Sequence, residues 1–306
     1  MTAASLPLRN SARARRPGAR ANYARRYWPF VVPAAVIVLA VIIFPWVFTL
    51  FISVHQWDPT GGVTWAGWSN YLHLTTDARF GWALIRTLYF SVLSVTLPLI
   101  LGIAAALCFH QRFPLRGLAR TVFVLPMMAT PVAVALVWTM MFHPQLGVLN
   151  YILTSIGLPP SQWTYSQGTV IPTLAMVETW QWTPLVMLIV LGGIASLPTD
   201  PYEAARLDGA SAWQSFRHIT LPLLMPFIVV AGVIRTIDAL KSFDVIYVIT
   251  QGGPGTASET LNIMLYQEAF AYYNLGYAGA ITVVFFALII AVSLVLLVVR
   301  EQARWQ

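Results

Sequence analysis

Long apolar runs separated by short polar interruptions dominate the chain, and they fall near residues 29 to 54, 84 to 109, 119 to 142, 169 to 197, 221 to 250 and 277 to 299. Each can supply the roughly 20 helical residues that cross about 30 Å of hydrocarbon. β-barrel spans would instead read as alternating segments of about 10 residues. The pattern therefore predicts an all-α integral membrane protein with six transmembrane helices. Composition agrees, with 58% hydrophobic and 9% charged residues and a mean hydropathy of +0.70, where a soluble domain carries about 25% charged residues. The first run is too long for a signal core of roughly 7 to 15 residues, so it is expected to stay as a span. Cys108, the single cysteine, excludes a disulfide framework and a Cys-rich metal site and is expected to be a small core residue.

The net charge of +7 changes the picture only once its location is known. Arg9, Arg13, Arg15, Arg16, Arg20, Arg25 and Arg26 precede the first span. With the N-terminus placed inside, these join Arg112, Arg116, Arg120, Arg206, Arg217, Arg300 and Arg304 on the inner face, against Arg79 and Arg86 on the outer. That asymmetry predicts both termini in the cytoplasm. The basic charge is thereby assigned to topology and membrane lipid, and a nucleic-acid partner is not expected. The organisation that follows is a cytoplasmic Arg-rich tail over 1 to 28, a transmembrane domain over 29 to 300 and a short tail over 301 to 306. Trp57, Trp65, Trp68, Tyr71 and Trp163 lie in the outer loops, where aromatic rings are expected at headgroup level. A helix lying along the outer surface is expected between Thr256 and Phe270, after a turn at Gly252-Gly253-Pro254-Gly255.

Five ionisable residues fall at membrane depth: Glu178 in the fourth run, and Arg235, Asp238, Lys241 and Asp244 in the fifth. Each costs about 2.5 to 3.5 kcal/mol on insertion scales and so needs a reason. At about 1.5 Å per residue in antiparallel helices, Glu178 and Arg235 reach one level and could pair. Glu178, Gln181, Trp182 and Leu185 share one helical face, and Arg235, Asp238 and Ser242 another. Together with Lys241 these are the candidate pathway residues, a mix of charge, amide and aromatic groups that suits a hydroxylated ligand. A buried network among Arg235, Asp238, Lys241 and Asp244, with no ligand, is the alternative. Pro222, Pro226 and Gly232 predict a kinked or partly unwound fifth helix, of the kind that lines transporter sites.

Between the fourth and fifth runs stands the polar stretch Pro201-Tyr202-Glu203-Ala204-Ala205-Arg206-Leu207-Asp208-Gly209-Ala210-Ser211-Ala212-Trp213. Asp200 is expected to cap a short helix with Pro201 at its first position and Glu203 completing a capping box. Gly209 should end it, and a second segment from Ser211 to His218 should lead to Leu221-Pro222. Such a helix is either a surface for a partner or a connector.

The spacing Glu203-Ala204-Ala205, three residues, Gly209, nine residues, Ile219, one residue, Leu221-Pro222 resembles the EAA loop of permease subunits of binding-protein-dependent ABC importers. Thr250-Gln251-Gly252-Gly253-Pro254, Thr260-Leu261, Tyr266 and Ala269-Phe270 are similar to the outer loop of the first permease of maltose-type carbohydrate importers, and within them to the trehalose permeases of mycobacteria. The likeness runs through about residues 27 to 300. It implies a type I ABC importer fold in a bacterial plasma membrane and a loop over 198 to 222 whose helix docks in an ATPase cleft. Glu203, Ala204, Ala205, Arg206, Asp208 and Gly209 would form the contact. It also implies a second homologous permease, ATPase subunits, an extracellular sugar-binding protein, and a sugar such as trehalose or maltose held mid-membrane by the helices flanking the loop.

A phosphate-binding loop needs Gly-Lys followed by Ser or Thr, and the single lysine, Lys241, follows Leu240. ATP with magnesium must then be used by a partner, and no cofactor or metal is expected on this chain. No G-x-S-x-G or H-E-x-x-H pattern occurs, so an intramembrane enzyme is disfavoured. Permeases for glycerol-3-phosphate or other oligosaccharides, and an ion-coupled carrier or channel using Glu178 or Asp238, are the rival readings.

Overall fold

The computed structural model describes the backbone of residues 18 to 58 and 60 to 303, with side chains over 27 to 57 and 60 to 298. Arg9, Arg13, Arg15, Arg16 and Arg304 lie outside the described residues, as do the side chains of Arg20, Arg25, Arg26 and Arg300 and most of the two predicted tails. Five helices among the described residues are long and apolar enough to cross a membrane, and a bent pair makes a sixth span if counted as one.

The first unit of the chain reaches to Phe51, and its described residues belong to helix α1 (Gly18–Ser53), whose last two residues already count with the second unit and whose apolar span is Tyr27–Ser53. The helix thus starts before the run that marks the span, because the arginine-bearing segment ahead of it is also helical. Pro45 lies inside it, and the Thr49 hydroxyl donates to the Pro45 carbonyl at 2.7 Å. Bonding back to a carbonyl one turn earlier lets the hydroxyl stay satisfied within an apolar helix.

The second unit starts at Ile52. Strands β1 (His55–Asp58) and β2 (Gly62–Trp65) form an antiparallel hairpin in which His55 faces Trp65. Helix α2 (Ser69–Thr76) follows, then the long α3 (Ala78–His110), whose first turn is capped by the Asp77 carboxylate accepting from the Arg79 backbone N–H at 2.8 Å.

Where a straight third span is expected, the chain makes two helices, α4 (Arg116–Met128) and α5 (Pro131–Met141), bent by 98°. Pro131 is the physical cause: it excludes the preceding residue from the α region, and Thr130 is extended at φ −66 and ψ 139. Helix α6 (Val148–Ser155) and a 3₁₀ turn Trp163–Tyr165 lead into α7 (Val170–Ala195). The loop between the fourth and fifth spans holds α8 (Asp200–Leu207) and α9 (Ala212–Ser215). A π-helical turn Phe216–Thr220 then joins α9 to α10 (Leu221–Leu240), so that the apolar helix runs unbroken over Ala212–Leu240.

The fifth run does break, but not at its prolines. Pro222 occupies the first turn of α10 and Pro226 lies inside it, whereas the helix ends at Leu240 and restarts as α11 (Asp244–Thr250). Helix α12 (Leu261–Tyr266), a π-helical turn Gln267–Ala271 and the last span α13 (Leu275–Ala303) complete the chain.

Helix α7 is the core of this unit, with Val170, Leu174, Val177, Val186, Met187 and Val190 fully buried. Two glycines let its neighbours in. A Cβ at Gly102 on α3 would meet the Val186 side chain at 2.6 Å, and one at Gly193 on α7 would meet the Phe227 ring at 2.6 Å. Small residues at helix contacts let backbones approach where no hydrophobic force separates protein from lipid.

Two local expectations are corrected, for Cys108 and for the helix from Thr256, and Trp163 gains a partner. Cys108 is exposed on the outside of α3. Trp163 keeps its place in a loop turn but is half-buried rather than free, its ring nitrogen donating to Asn150 Oδ1 at 2.8 Å and its ring 5.6 Å from that of Phe142. The helix expected along the outer surface from Thr256 begins only at Leu261, and Leu261, Ile263 and Met264 are buried. Its apolar stripe packs inward because Leu261 and Met264 join the cluster formed with Ala83, Tyr277 and Ile281.

Candidate functional site: a charged cavity beside the broken fifth span

Because α7 and α10 flank one loop, they run in opposite directions, and Glu178 and Arg235 meet as their depth predicts. Arg235 Nη2 lies 2.9 Å from Glu178 Oε2 and donates a second bond to the Ser94 carbonyl at 3.3 Å. Ser242 Oγ, just past the break, donates to Glu178 Oε1 at 3.2 Å. Glu178 is 5% and Arg235 1% exposed, so each charge has exchanged water for the other.

The pairing leaves Arg235 incompletely satisfied. Its Nε and Nη1 have no hydrogen-bond partner among the described residues, and Nη1 stands 4.0 Å from Asp238 Oδ2. The guanidinium lies 5.0 Å from the centre of the Trp182 ring, a cation-π contact. Beside this group opens a cavity of about 310 Å³ lined by Glu178, Trp182, Arg235, Asp238, Lys241 and Ser242 together with Pro131, Phe243, Asp244 and Val245. Asp238 is half exposed, Lys241 and Asp244 are exposed, and neither Lys241 nor Asp244 forms an ion pair among the described residues. The four-membered network of Arg235, Asp238, Lys241 and Asp244 is therefore not what forms. The head groups of Asp238, Lys241 and Asp244 face open space, while the Arg235 guanidinium stays buried behind them.

Two residues of the predicted faces do not line the cavity. Gln181 is buried and its Nε2 donates to the Ala129 carbonyl at 3.2 Å, at the bend between α4 and α5. The bend exposes a backbone carbonyl that a straight span would have used itself. Leu185 is half-buried one turn further along α7. Sequence reasoning missed Asn262, whose Nδ2 lies 3.3 Å from both the Leu240 and the Ser242 carbonyls. It ties the end of α10 to α12 by donating to carbonyls the ended helix leaves free; the signal available was one amide among apolar neighbours. From the cavity wall an aromatic row continues, with ring centres separated by 5.1 Å from Phe243 to Tyr247, 4.9 Å to Tyr266 and 5.2 Å to Phe270.

In the loop between α7 and α10, Gly209 sits at φ +74, a left-handed position, and the Ala210 N–H returns to the Ala205 carbonyl at 2.9 Å. That geometry terminates α8 as expected. The start is shifted by one residue: Thr199 is the capping position, Asp200 is already helical, and no side chain caps the helix. The capping box lies instead at α9, where Gln214 N–H donates to Ser211 Oγ at 3.3 Å and Ser211 N–H to Gln214 Oε1 at 2.7 Å. Tyr202 hydroxyl donates to Thr220 Oγ1 at 3.1 Å, tying α8 to the turn that enters α10. Glu203, Ala204, Arg206, Asp208 and Gly209 are exposed and Ala205 half-buried, while Leu207 and Trp213, which the sequence did not single out, are 90% and 66% exposed. A cavity of about 370 Å³ under α8 is bordered by His110, Leu197, Tyr202, Glu203 and Arg206.

At the opposite end of α3 a second ionic cluster forms that no spacing foretold. Arg79 pairs with Glu259, donates to Glu268 Oε1 and to Gln267 Oε1 at 2.7 Å each, and its guanidinium lies 5.4 Å from the Tyr272 ring centre. Beside it the Tyr277 hydroxyl donates to the Asp77 carboxylate. Burial opposes the charge on Asp77, but that bond and the backbone N–H groups of Arg79 and Phe80 outweigh it and hold the carboxyl below its usual range.

The comparisons with known proteins agree with this architecture. Residues 99–304 match the family model described as "Binding-protein-dependent transport system inner membrane component". The Trehalose/maltose transport system permease protein MalF of Thermococcus litoralis is 37% identical over 279 residues, covering 90% of this chain and 93% of that protein. The Trehalose transport system permease protein SugA of Mycobacterium tuberculosis is 33% identical over 282 residues, covering 92% and 90%. A solved structure, a bacterial alginate ABC transporter in complex with alginate pentasaccharide-bound periplasmic protein, contains a chain that superposes with a TM-score of 0.78 at 23% identity, covering 90% of this chain and 94% of that one. This last likeness shows the fold. The chain belongs to the family of binding-protein-dependent transport system inner membrane components and is a multi-pass membrane permease.

Proposed function

We propose that, within that family, this chain is one half of the translocation pathway of an ATP-driven sugar importer, the first of two paired permeases, and that its cargo is a disaccharide such as trehalose or maltose. The observation that carries the reading is the cavity at the broken fifth span. There a half-buried indole, two carboxylates and an ammonium surround a buried ion pair, so that the pair neutralises two of the five charges and leaves Asp238, Lys241 and Asp244 facing the cavity. Carboxylates accept from vicinal hydroxyls, the ammonium donates, and aromatic faces receive the C–H side of a pyranose. The relatives named for trehalose and maltose support the same class of cargo.

In this reading the exposed helix α8, with Glu203, Ala204, Ala205, Arg206, Asp208 and Gly209, docks on a separate ATPase subunit that uses ATP with magnesium, and this chain binds no cofactor of its own. The bond from Tyr202 to Thr220 passes the ATPase movement into α10, and alternating access follows as the cavity opens to one side and then the other. Both termini lie in the cytoplasm, as the arginine distribution favours, with the transmembrane domain over 29 to 300. An extracellular sugar-binding protein delivers the cargo, and the homologous second permease completes the cavity.

The reading is tested on the assembled importer in liposomes with its binding protein, by ATP-dependent uptake of labelled trehalose, maltose and glycerol-3-phosphate. Asp238→Ala and Trp182→Ala should lower sugar uptake by about tenfold, the loss of one or two ligand contacts, with assembly intact. Unchanged uptake in both removes the cavity from the path. Glu203→Lys should abolish sugar-stimulated ATP hydrolysis with the spans still inserted, and uptake driven by a proton gradient without ATP would sink the importer reading.

A further inference from the structure

At the end of the bundle remote from α8, Arg86 occupies an unusual position. It lies eight residues into α3, about 12 Å along the axis at 1.5 Å per residue, and belongs to a membrane span. Arg79 and Arg235 each meet a carboxylate, yet among the described residues Arg86 meets none. Its contact is a 3.3 Å bond from Nη2 to the Thr256 hydroxyl, with its guanidinium 6.0 Å from the Trp82 ring centre. A cation near the outer end of an apolar run, with no carboxylate partner among the described residues, favours an anion or water within reach.

The surroundings specify the anion. Arg86 lines an open cavity of about 280 Å³ with Trp82, Ile85, Tyr89, Gln167, Thr256 and Ala257. None of these residues borders the cavity around Glu178, so the site is separate from the proposed sugar path. On one side it is closed by the polar groups of Gln167 and Thr256. On the other, Ile85, Leu88, Tyr89 and Val92 continue down α3 as an exposed apolar stripe. A guanidinium at the upper edge of an apolar stripe, flanked by an indole and a phenol, matches an amphiphile whose charged group is anionic and whose tail runs along the helix. A free anion would leave the stripe uncovered, and a sugar would leave the charge uncompensated.

We propose that Arg86, with Trp82, Gln167 and Thr256, holds the phosphate of a membrane phospholipid, whose acyl chain covers Ile85, Leu88 and Val92. The phosphate accepts a charge-assisted bond from the guanidinium, and the lipid seals the junction between α3 and the loop that carries Thr256.

The test uses the complete importer, delipidated in mild detergent and titrated with phosphatidylglycerol under native mass spectrometry. Arg86→Gln should weaken retention of the most tightly held lipid by roughly tenfold, the loss of one charge-assisted contact. A photo-crosslinking amino acid at position 92, in the exposed apolar stripe and outside the set that holds the phosphate, should attach to lipid, a measurement that leaves Arg86 and its neighbours unchanged. Equal retention by both forms, displacement of the lipid by millimolar inorganic phosphate, or a crosslink from position 92 to the second permease would each overturn the proposal. Sugar uptake does not enter the readout, so failure of the lipid site and failure of the proposed sugar path are distinguishable.

Discussion

The pair of Glu178 with Arg235 and the cluster of Arg79 with Glu259 and Glu268 both join segments far apart in the chain, by 57 residues in the first case and by 180 and 189 in the second. They differ in how fully the guanidinium is used. Arg79 gives Nε and Nη2 to Glu259 and Nη1 to Glu268, and keeps 30% of its side chain in contact with solvent. Arg235 is 1% exposed and still has Nε and Nη1 without partners. A saturated cation is a brace. An unsaturated one, buried beside an open cavity, retains directed hydrogen-bonding capacity at an energetic cost that the fold alone does not explain.

The contrast can be broken most sharply at its centre. Replacing Glu178 by Leu strands Arg235 without its counter-ion and should destabilise the complex by about 3 to 5 kcal/mol, read as a fall in the thermal unfolding midpoint in detergent. The double change Glu178→Leu with Arg235→Met should recover much of that loss, since an apolar pair of similar volume is often no worse than a buried ion pair. A double variant as unstable as the single one would show that the two charges do not depend on each other.

Arg79→Met should cost less, about 1 to 3 kcal/mol, because its partly exposed side chain is screened although Glu259 and Glu268 are buried. Uptake per folded complex should stay at the parental level, as expected of a brace. Loss of uptake at unchanged stability would move this cluster into the transport cycle. Ser242→Ala removes one of the two partners of Glu178 and should cost about 0.5 to 1.5 kcal/mol. The smallest effect is expected at Asp77, whose depressed carboxyl stabilises the folded state above its ordinary value of about 3.9 and ceases to do so as pH falls through the lower folded value. The stability gap between the parent and Asp77→Asn should thus be constant above about pH 5 and close below about pH 4.

Sequence pattern and structure agree where one physical rule dominates. Apolar length located the helices of five spans, and axial rise placed Glu178 opposite Arg235. Agreement fails where tertiary contacts decide. Pro131 marked a boundary only in hindsight, since prolines at 45, 98, 126, 184 and 226 lie inside helices without ending them. Gln181 shares a helical face with Glu178, yet the bent α4 and α5 offer it a free carbonyl, and that bond turns it from the cavity. The displaced cap at Asp200 is a one-residue shift, within the ordinary uncertainty of helix ends. The cluster around Arg79 was illegible because its partners lie in loops whose return to α3 no local spacing encodes.

The order in which the spans are synthesised gives the bond between Glu178 and Arg235 a second meaning. Glu178 is made first, in a span that ends at Ala195, and its counter-ion arrives with the next span, which ends at Leu240. Until then a lone carboxylate would have to enter lipid. A nascent chain halted between these two points should consequently linger at the insertion machinery, and release of the α7 and α10 hairpin as one piece becomes a step in the biogenesis of the protein.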